Sequence, residues 1–68
     1  MTKEAILDAA EAVLSEQGTQ ALTLNAVADR AGVSKGGLLY HFPTKDALVR
    51  EMVARVIREF DDLIASYV

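Results

Sequence analysis

The apolar residues of the chain fall into four stretches with helical spacing. From Lys3 to Gln17, the residues Ile6, Ala10, Val13 and Leu14 recur on one face. Glu4 stands in the first turn, where the helix dipole favours an anion, and Gly18 is placed as the stop. Thr23 is a good N-cap, and LNAVADRA after it puts Leu24, Val27, Ala28 and Ala31 on one side. A second, short helix is predicted over Leu24–Ala31, with Gly32 supplying the left-handed residue that ends it. Ser34 then caps a third, about Lys35–His41, which Pro43 prevents from continuing. Thr44 caps a fourth, in which Leu48, Met52, Val56, Phe60 and Ile64 repeat every four residues; Val49, Val53, Ile57 and Leu63 broaden the stripe.

The fourth helix does not match the other three in length. Twenty-odd residues at 1.5 Å rise make it roughly 33 Å long, more than three short helices can cover. The sequence ends at Tyr67-Val68 with no C-cap, so the stripe is left uncovered. The expectation is a truncated or separately expressed N-terminal domain.

Composition narrows the class. The 68 residues allow one small domain, and half of them are apolar, which excludes a disordered tail. No apolar run approaches the ~20 residues of a membrane span, and acids at Glu4, Asp8 and Glu11 exclude a signal peptide. With no cysteine, disulfides and thiolate metal sites are excluded, and a reducing cytoplasm is the simplest home. The net charge of −3 hides an uneven distribution. Residues 1–22 carry −3 and residues 46–68 carry −2, while residues 23–45, with Arg30, Lys35 and Lys45 against Asp29, carry +2.

That positive segment contains GVSKGGLLYHFPTK, in which Gly36 and Gly37 each cost about 0.8–1.0 kcal/mol relative to alanine inside a helix. Two short helices joined by a tight Gly-containing turn are the helix-turn-helix signature, whose second helix lies in the major groove of DNA. Without Cβ atoms in the first turn, that helix can approach a phosphate or base edge closely. Ser34 and the free N–H groups of the helix start can bond a phosphate oxygen, and Lys35 can reach a phosphate or a guanine edge. The competing reading is that the glycines allow tight packing between helices. Their position beside Ser34 and Lys35, directly after the turn, favours close approach to DNA.

The pattern Gly18, Thr23, Val27-Ala28, Ala31-Gly32-Val33-Ser34, Gly36, Leu38, Tyr40-His41-Phe42, Lys45 and Leu48 closely resembles the DNA-binding domain of TetR-family transcriptional regulators over essentially the whole chain. The resemblance implies an all-α, homeodomain-like fold of four helices, with a helix-turn-helix within about residues 23–42 and the first turns of a long helix four. It implies a sequence-specific regulator, typically a homodimeric repressor, acting on a double-stranded DNA operator with palindromic half-sites in the bacterial cytoplasm, at the nucleoid. A small-molecule inducer would bind in a larger C-terminal helical domain, which also provides the dimer interface and is missing from this chain. No cofactor is implied.

The same resemblance assigns roles. Thr23 looks like the helix-start residue that touches the DNA backbone, and Asn25 occupies a position that can reach the groove. Lys35, Gly36 and Gly37 match the base-reading start of the recognition helix. Tyr40 and His41 match backbone clamps, and Lys45 matches the phosphate contact at the start of helix four. Leu39 stands where the family often has an aromatic residue, which removes one phosphate hydroxyl. Gly37 replaces a residue that many members use to read a base.

Taken singly, the same residues allow plainer roles. His41 is the only histidine, so a histidine metal cluster is excluded; packing competes with a phosphate contact for it. Core filling competes with a half-exposed clamp for Tyr40, and Leu38 and Phe42, four apart, are core candidates. Lys45 opposes the local helix dipole, which favours a partner anion over simple solvation. No motif joins Ser34, Asp29 and His41 into a catalytic constellation, so an enzyme is not expected. GVSKGG lacks the first glycine of a phosphate-binding loop and follows no strand. The alternative class is a helical dimerisation module with no DNA role, built on the uncovered stripe of helix four.

Overall fold

The computed structural model describes residues 3–67. Their order is α1 (Lys3–Gln17), a 3₁₀ turn (Thr19–Ala21), α2 (Leu24–Ala31), α3 (Lys35–His41) and α4 (Lys45–Ala65). Regular structure among the described residues is entirely helical. The three helices after the first begin in the same way. Thr23, Ser34 and Thr44 hold extended backbone and accept from the N–H three residues on: Ala26 at 3.1 Å, Gly37 at 3.0 Å and Ala47 at 3.1 Å. Each cap satisfies one of the N–H groups that a helix start leaves without a partner, a gain of about 1 kcal/mol.

Two glycines shape the turns. Gly18 adopts φ 89°, and its carbonyl accepts from Ala21 at 3.3 Å, which starts the 3₁₀ turn. That turn is absent from the expected elements; it delivers Leu22 to the core. Gly32 adopts φ 71°. Its N–H reaches the Asp29 carbonyl at 3.2 Å and the Val33 N–H reaches Ala28 at 3.0 Å. This closes the end of α2 and turns the chain into α3 within three residues.

The core is built where the apolar spacings coincide. Ile6, Leu7, Ala10 and Val13 of α1 meet Val27 and Ala28 of α2, Leu38 and Phe42 from α3 and its end, and Leu48 and Met52 of α4. Burying each large side chain contributes about 1.5–3 kcal/mol. The core ends early along α4. From Val53 onward its apolar residues are about half exposed, from Ile64 at 48% to Phe60 at 59%. At 21 residues, or about 32 Å, α4 overshoots the bundle and gives the molecule its 42 × 24 × 19 Å shape. The apolar stripe is left uncovered, as its length suggests.

Arg55 is the one charged residue buried among the described residues. Its Nη1 donates to Glu4 Oε2 at 3.0 Å and Asp8 Oδ1 at 2.8 Å, and Nη2 lies 2.8 Å from Glu11 Oε2. The acids stand at i, i+4 and i+7 of α1, one above another. Hydrogen bonding to Glu11 first, then to Glu4 and Asp8, raises the guanidinium pKa against the opposing effect of burial, so Arg55 stays charged. The stabilisation is modest. Glu4 and Asp8 are largely solvated and Glu11 is partly so, which limits each pair to about 0.2–1 kcal/mol. The buried Nε has no partner among the described residues, which offsets part of that gain.

Candidate nucleic-acid interface

The residues singled out by sequence gather on α2, α3 and the start of α4, mostly on the solvent side. Thr23, Asn25, Ser34, Lys35, Gly36, Gly37, Tyr40 and Lys45 are exposed, and His41 is half-buried. Opposite them, Val27, Leu38 and Phe42 are fully buried, so the core fixes which side of α3 faces out. Thr23 and Ser34 spend their oxygens as caps but keep a hydroxyl hydrogen to donate. Asn25 projects from the first turn of α2, one residue past Leu24.

Gly36 and Gly37 are not equivalent. A Cβ at Gly36 would meet nothing within 4 Å, so no neighbouring helix requires a glycine there. The tight-packing explanation fails at this position. At Gly37 a Cβ would come within 3.2 Å of the Ser34 hydroxyl oxygen, the atom that caps the same residue's N–H. Glycine there keeps room for the cap. The outer surface of the first turn of α3 is therefore bare backbone beside the Lys35 ammonium.

Tyr40 is 85% exposed, so it fills no core position and stands further out than a half-exposed clamp. Its ring meets that of His41 edge-on, with centroids 5.3 Å apart and planes at 84°. His41 in turn leans towards the buried Phe42, whose ring carries Lys3 Nζ 5.6 Å from its centre. His41 thus spans core and surface.

The ion pairs sort the charges. Among the described residues Lys3 pairs with Glu51, Arg30 with Glu16 and Arg55 with three acids of α1. Lys35, Lys45, Arg50 and Arg58 make no ion pair among the described residues, and of these Lys35 and Lys45 stand at the starts of α3 and α4. Lys45 also stands at the rim of an apolar groove between α1, the 3₁₀ turn and α4, lined by Leu14, Leu22, Val49, Met52 and Val56. The Arg30–Glu16 fork, at 2.6 and 2.8 Å, straps α2 to the end of α1. It holds the Glu16 carboxyl below its ordinary value.

A three-residue turn around a left-handed glycine thus joins two short capped helices, the second with a bare, cationic outer face. The sequence profile of the "Bacterial regulatory proteins, tetR family" matches residues 6–52, from the first core residue of α1 to the last apolar core residue of α4. The chain belongs to the TetR family. Its relatives include the HTH-type transcriptional repressor KstR2 of Rhodococcus jostii, 38% identical over 63 residues, covering 91% of this chain and 29% of that protein. The HTH-type transcriptional regulator RutR of Escherichia coli is 42% identical over 55 residues, covering 81% and 26%. The HTH-type transcriptional repressor BepR of Brucella suis is 41% identical over 54 residues, covering 79% and 26%. The chain spans less than a third of the length of these relatives. No solved structure matches it significantly. Within this TetR-family domain the matched span stops at Met52, and the free half of α4 lies beyond it.

Proposed function

We propose that this chain is the DNA-binding head of a transcriptional regulator, most simply a repressor, that reads an operator through α3. The observation that carries this reading is Gly36: an exposed helical glycine with no internal neighbour, beside an unpaired lysine and directly after the turn. Placed in a major groove, that surface brings backbone against DNA, with Lys35 at a guanine edge or phosphate. Thr23, Ser34, Tyr40, His41 and Lys45 are assigned to the DNA backbone and Asn25 to the groove rim. Such contacts position the head, while the turn of α3 reads sequence.

The apolar half of α4 supports the second part of the proposal. A solvent-facing run of Val53, Val56, Ile57, Phe60, Leu63 and Ile64 calls for a cover. We assign that cover to a C-terminal helical domain of the longer protein, which pairs two heads on a palindromic operator and takes the small-molecule inducer. The regulator works in the bacterial cytoplasm at the nucleoid; among the described residues no helix is long and apolar enough to cross a membrane.

The test is selection of bound duplexes from a random pool, followed by gel-shift titration in salt. A recurring half-site is expected, with affinity falling as salt rises through counterion release. Two lysines, Lys35 and Lys45, set a log–log slope of about −2 per head at roughly −0.9 per neutralised phosphate. Salt-insensitive self-association with no enriched sequence would favour the dimerisation module instead.

A further inference from the structure

We propose that Arg55 is a positioning residue: its fork across Glu4, Asp8 and Glu11 sets the angle at which α4 leaves the head, and through it the separation of two heads on DNA. The inference rests on the DNA-binding reading above. Along α4, the residues buried against the head are Leu48, Met52 and Arg55, spaced four and three apart. After Arg55 every residue of the helix is exposed, with Val56 and Ile57 still edging the groove against α1. Arg55 is therefore the last fastening before a lever of about ten residues, or ~15 Å.

The type of fastening matters. Leu48 and Met52 offer apolar contact, which tolerates small rotations and slides. Arg55 offers a rigid planar fork whose two terminal nitrogens meet acids from successive turns of α1, at 2.8 to 3.0 Å. A shift of one helical turn, 5.4 Å, would part the fork from its partners. Glu4 and Asp8 are well solvated, Glu11 is half-exposed, and the buried Nε has no partner among the described residues, so the arrangement stabilises poorly for the burial it demands. Weak as they are in energy, these contacts have direction: a planar guanidinium meets its carboxylates in few orientations, so the fork selects one geometry. Where the chain after α4 joins two copies, a fixed exit angle fixes the head-to-head distance. Half-sites on DNA demand a spacing of one helical turn, about 34–36 Å, or a multiple of it.

Two measurements test this. The chain has no cysteine, so Ser15→Cys on α1 and Asp62→Cys on α4 allow clean nitroxide labelling for pulsed dipolar distance measurement. A single narrow distance is expected in the parent. Arg55→Met should broaden or displace it, and Arg55→Lys, which keeps the charge without the fork, should only partly restore it. The second measurement uses the chain fused in helical continuity to a dimeric coiled coil and titrated on paired half-sites at varied spacing. The parent fusion should prefer one spacing, because the avidity of the second head, of order 10²–10⁴-fold, appears only where both heads reach. In Arg55→Met the preference should flatten while affinity for a single half-site stays unchanged. Should Arg55→Met fail to fold, Glu4→Gln with Asp8→Asn loosens the fork from its solvated side and should give the same flattening. An unchanged distance distribution, or an unchanged spacing preference, overturns the proposal. A fusion that recognises no DNA sequence at all defeats the DNA reading instead, and the distance arm still decides what Arg55 does to α4.

Discussion

Gly36→Ala should strengthen the fold and weaken DNA binding in the same molecule. The residue lies in the first turn of α3, exposed, and the added methyl would meet nothing within 4 Å. Its backbone is not among the positive-φ residues, so alanine adopts it without strain. Replacing an unstrained helical glycine by alanine stabilises by roughly 0.5–1 kcal/mol. For a domain of this size, that corresponds to a rise of about 2–8 °C in the thermal midpoint. The methyl would instead meet the DNA. Forcing a methyl into a close contact costs about 1–3 kcal/mol, taking well-packed interiors as the guide. At 1.4 kcal/mol per factor of ten, affinity for the selected duplex falls about 5- to 150-fold.

Melting followed by circular dichroism and a gel-shift titration measure the two effects. A variant that melts higher yet binds as tightly as the parent shows that nothing approaches Gly36, and the central observation loses its meaning. A variant that melts lower shows that α3 packs differently. Two neighbours calibrate the scale. Gly37→Ala crowds the Ser34 cap at 3.2 Å, so its helix gain should be offset. Gly32→Ala places a side chain at φ 71° and should lower the midpoint, since the left-handed region costs about 1–2 kcal/mol there.

The remaining expectations concern charge and valency. Lys35→Ala should cost about 1–3 kcal/mol on the cognate site and relax preference at one base pair, whereas Lys45→Ala should weaken all sequences alike and reduce the salt slope by about one unit; parent-like binding by both shows that the DNA face lies elsewhere. The Arg30–Glu16 strap depresses the Glu16 pKa in the fold, so its contribution is complete above the ordinary value of 4.5 and fades as pH falls through the lower folded value. Thermal midpoints of the parent and Glu16→Gln should differ at neutral pH and converge in acid; a gap that widens in acid contradicts the assignment. The 68-residue chain alone should bind a full operator far more weakly than the same chain on a dimeriser, by the ~10²–10⁴-fold that linking two heads supplies; equal affinities would refute it.

The legible parts of this fold are those decided by neighbours in sequence. Thr23, Ser34 and Thr44 each cap the residue three positions on, a relation contained in four residues. Gly32 ends α2 through bonds that reach back only to Ala28 and Asp29. Leu38 and Phe42, one helical turn apart, both reach the core. Two features were illegible for a common reason. Arg55 lies 51 residues from Glu4 and 47 from Asp8, so nothing near it in sequence marks it for burial. Its only local trace is the acid series at positions 4, 8 and 11, one face of α1 that calls for a cation. The two glycines, identical as letters, separate only when the space around each missing Cβ is known. Tyr40 falls between these cases: its type suggested a clamp, but its full exposure depends on how Leu38 and Phe42 turn α3.

A chain of net charge −3 is an unpromising partner for a polyanion until its charges are placed. Glu4, Asp8, Glu11, Glu16 and Glu51 are each engaged by Lys3, Arg30 or Arg55, so five of the ten acids are tied to cations within the fold. These pairs draw on cations that the proposed DNA face does not use. Lys35 and Lys45, at the starts of α3 and α4, make no ion pair among the described residues. At physiological ionic strength exposed charges act over about 8 Å, so what a phosphate meets is its local surroundings rather than the net sum. Asp61 and Asp62 lie on the far half of α4, four turns beyond Lys45, or roughly 24 Å along the helix. Among the described residues Asp29 on α2 and Asp46 beside Lys45 are the unpaired acids near the proposed face; the others are paired or on the far half of α4, and Lys35 is left unpaired where the backbone of α3 is barest.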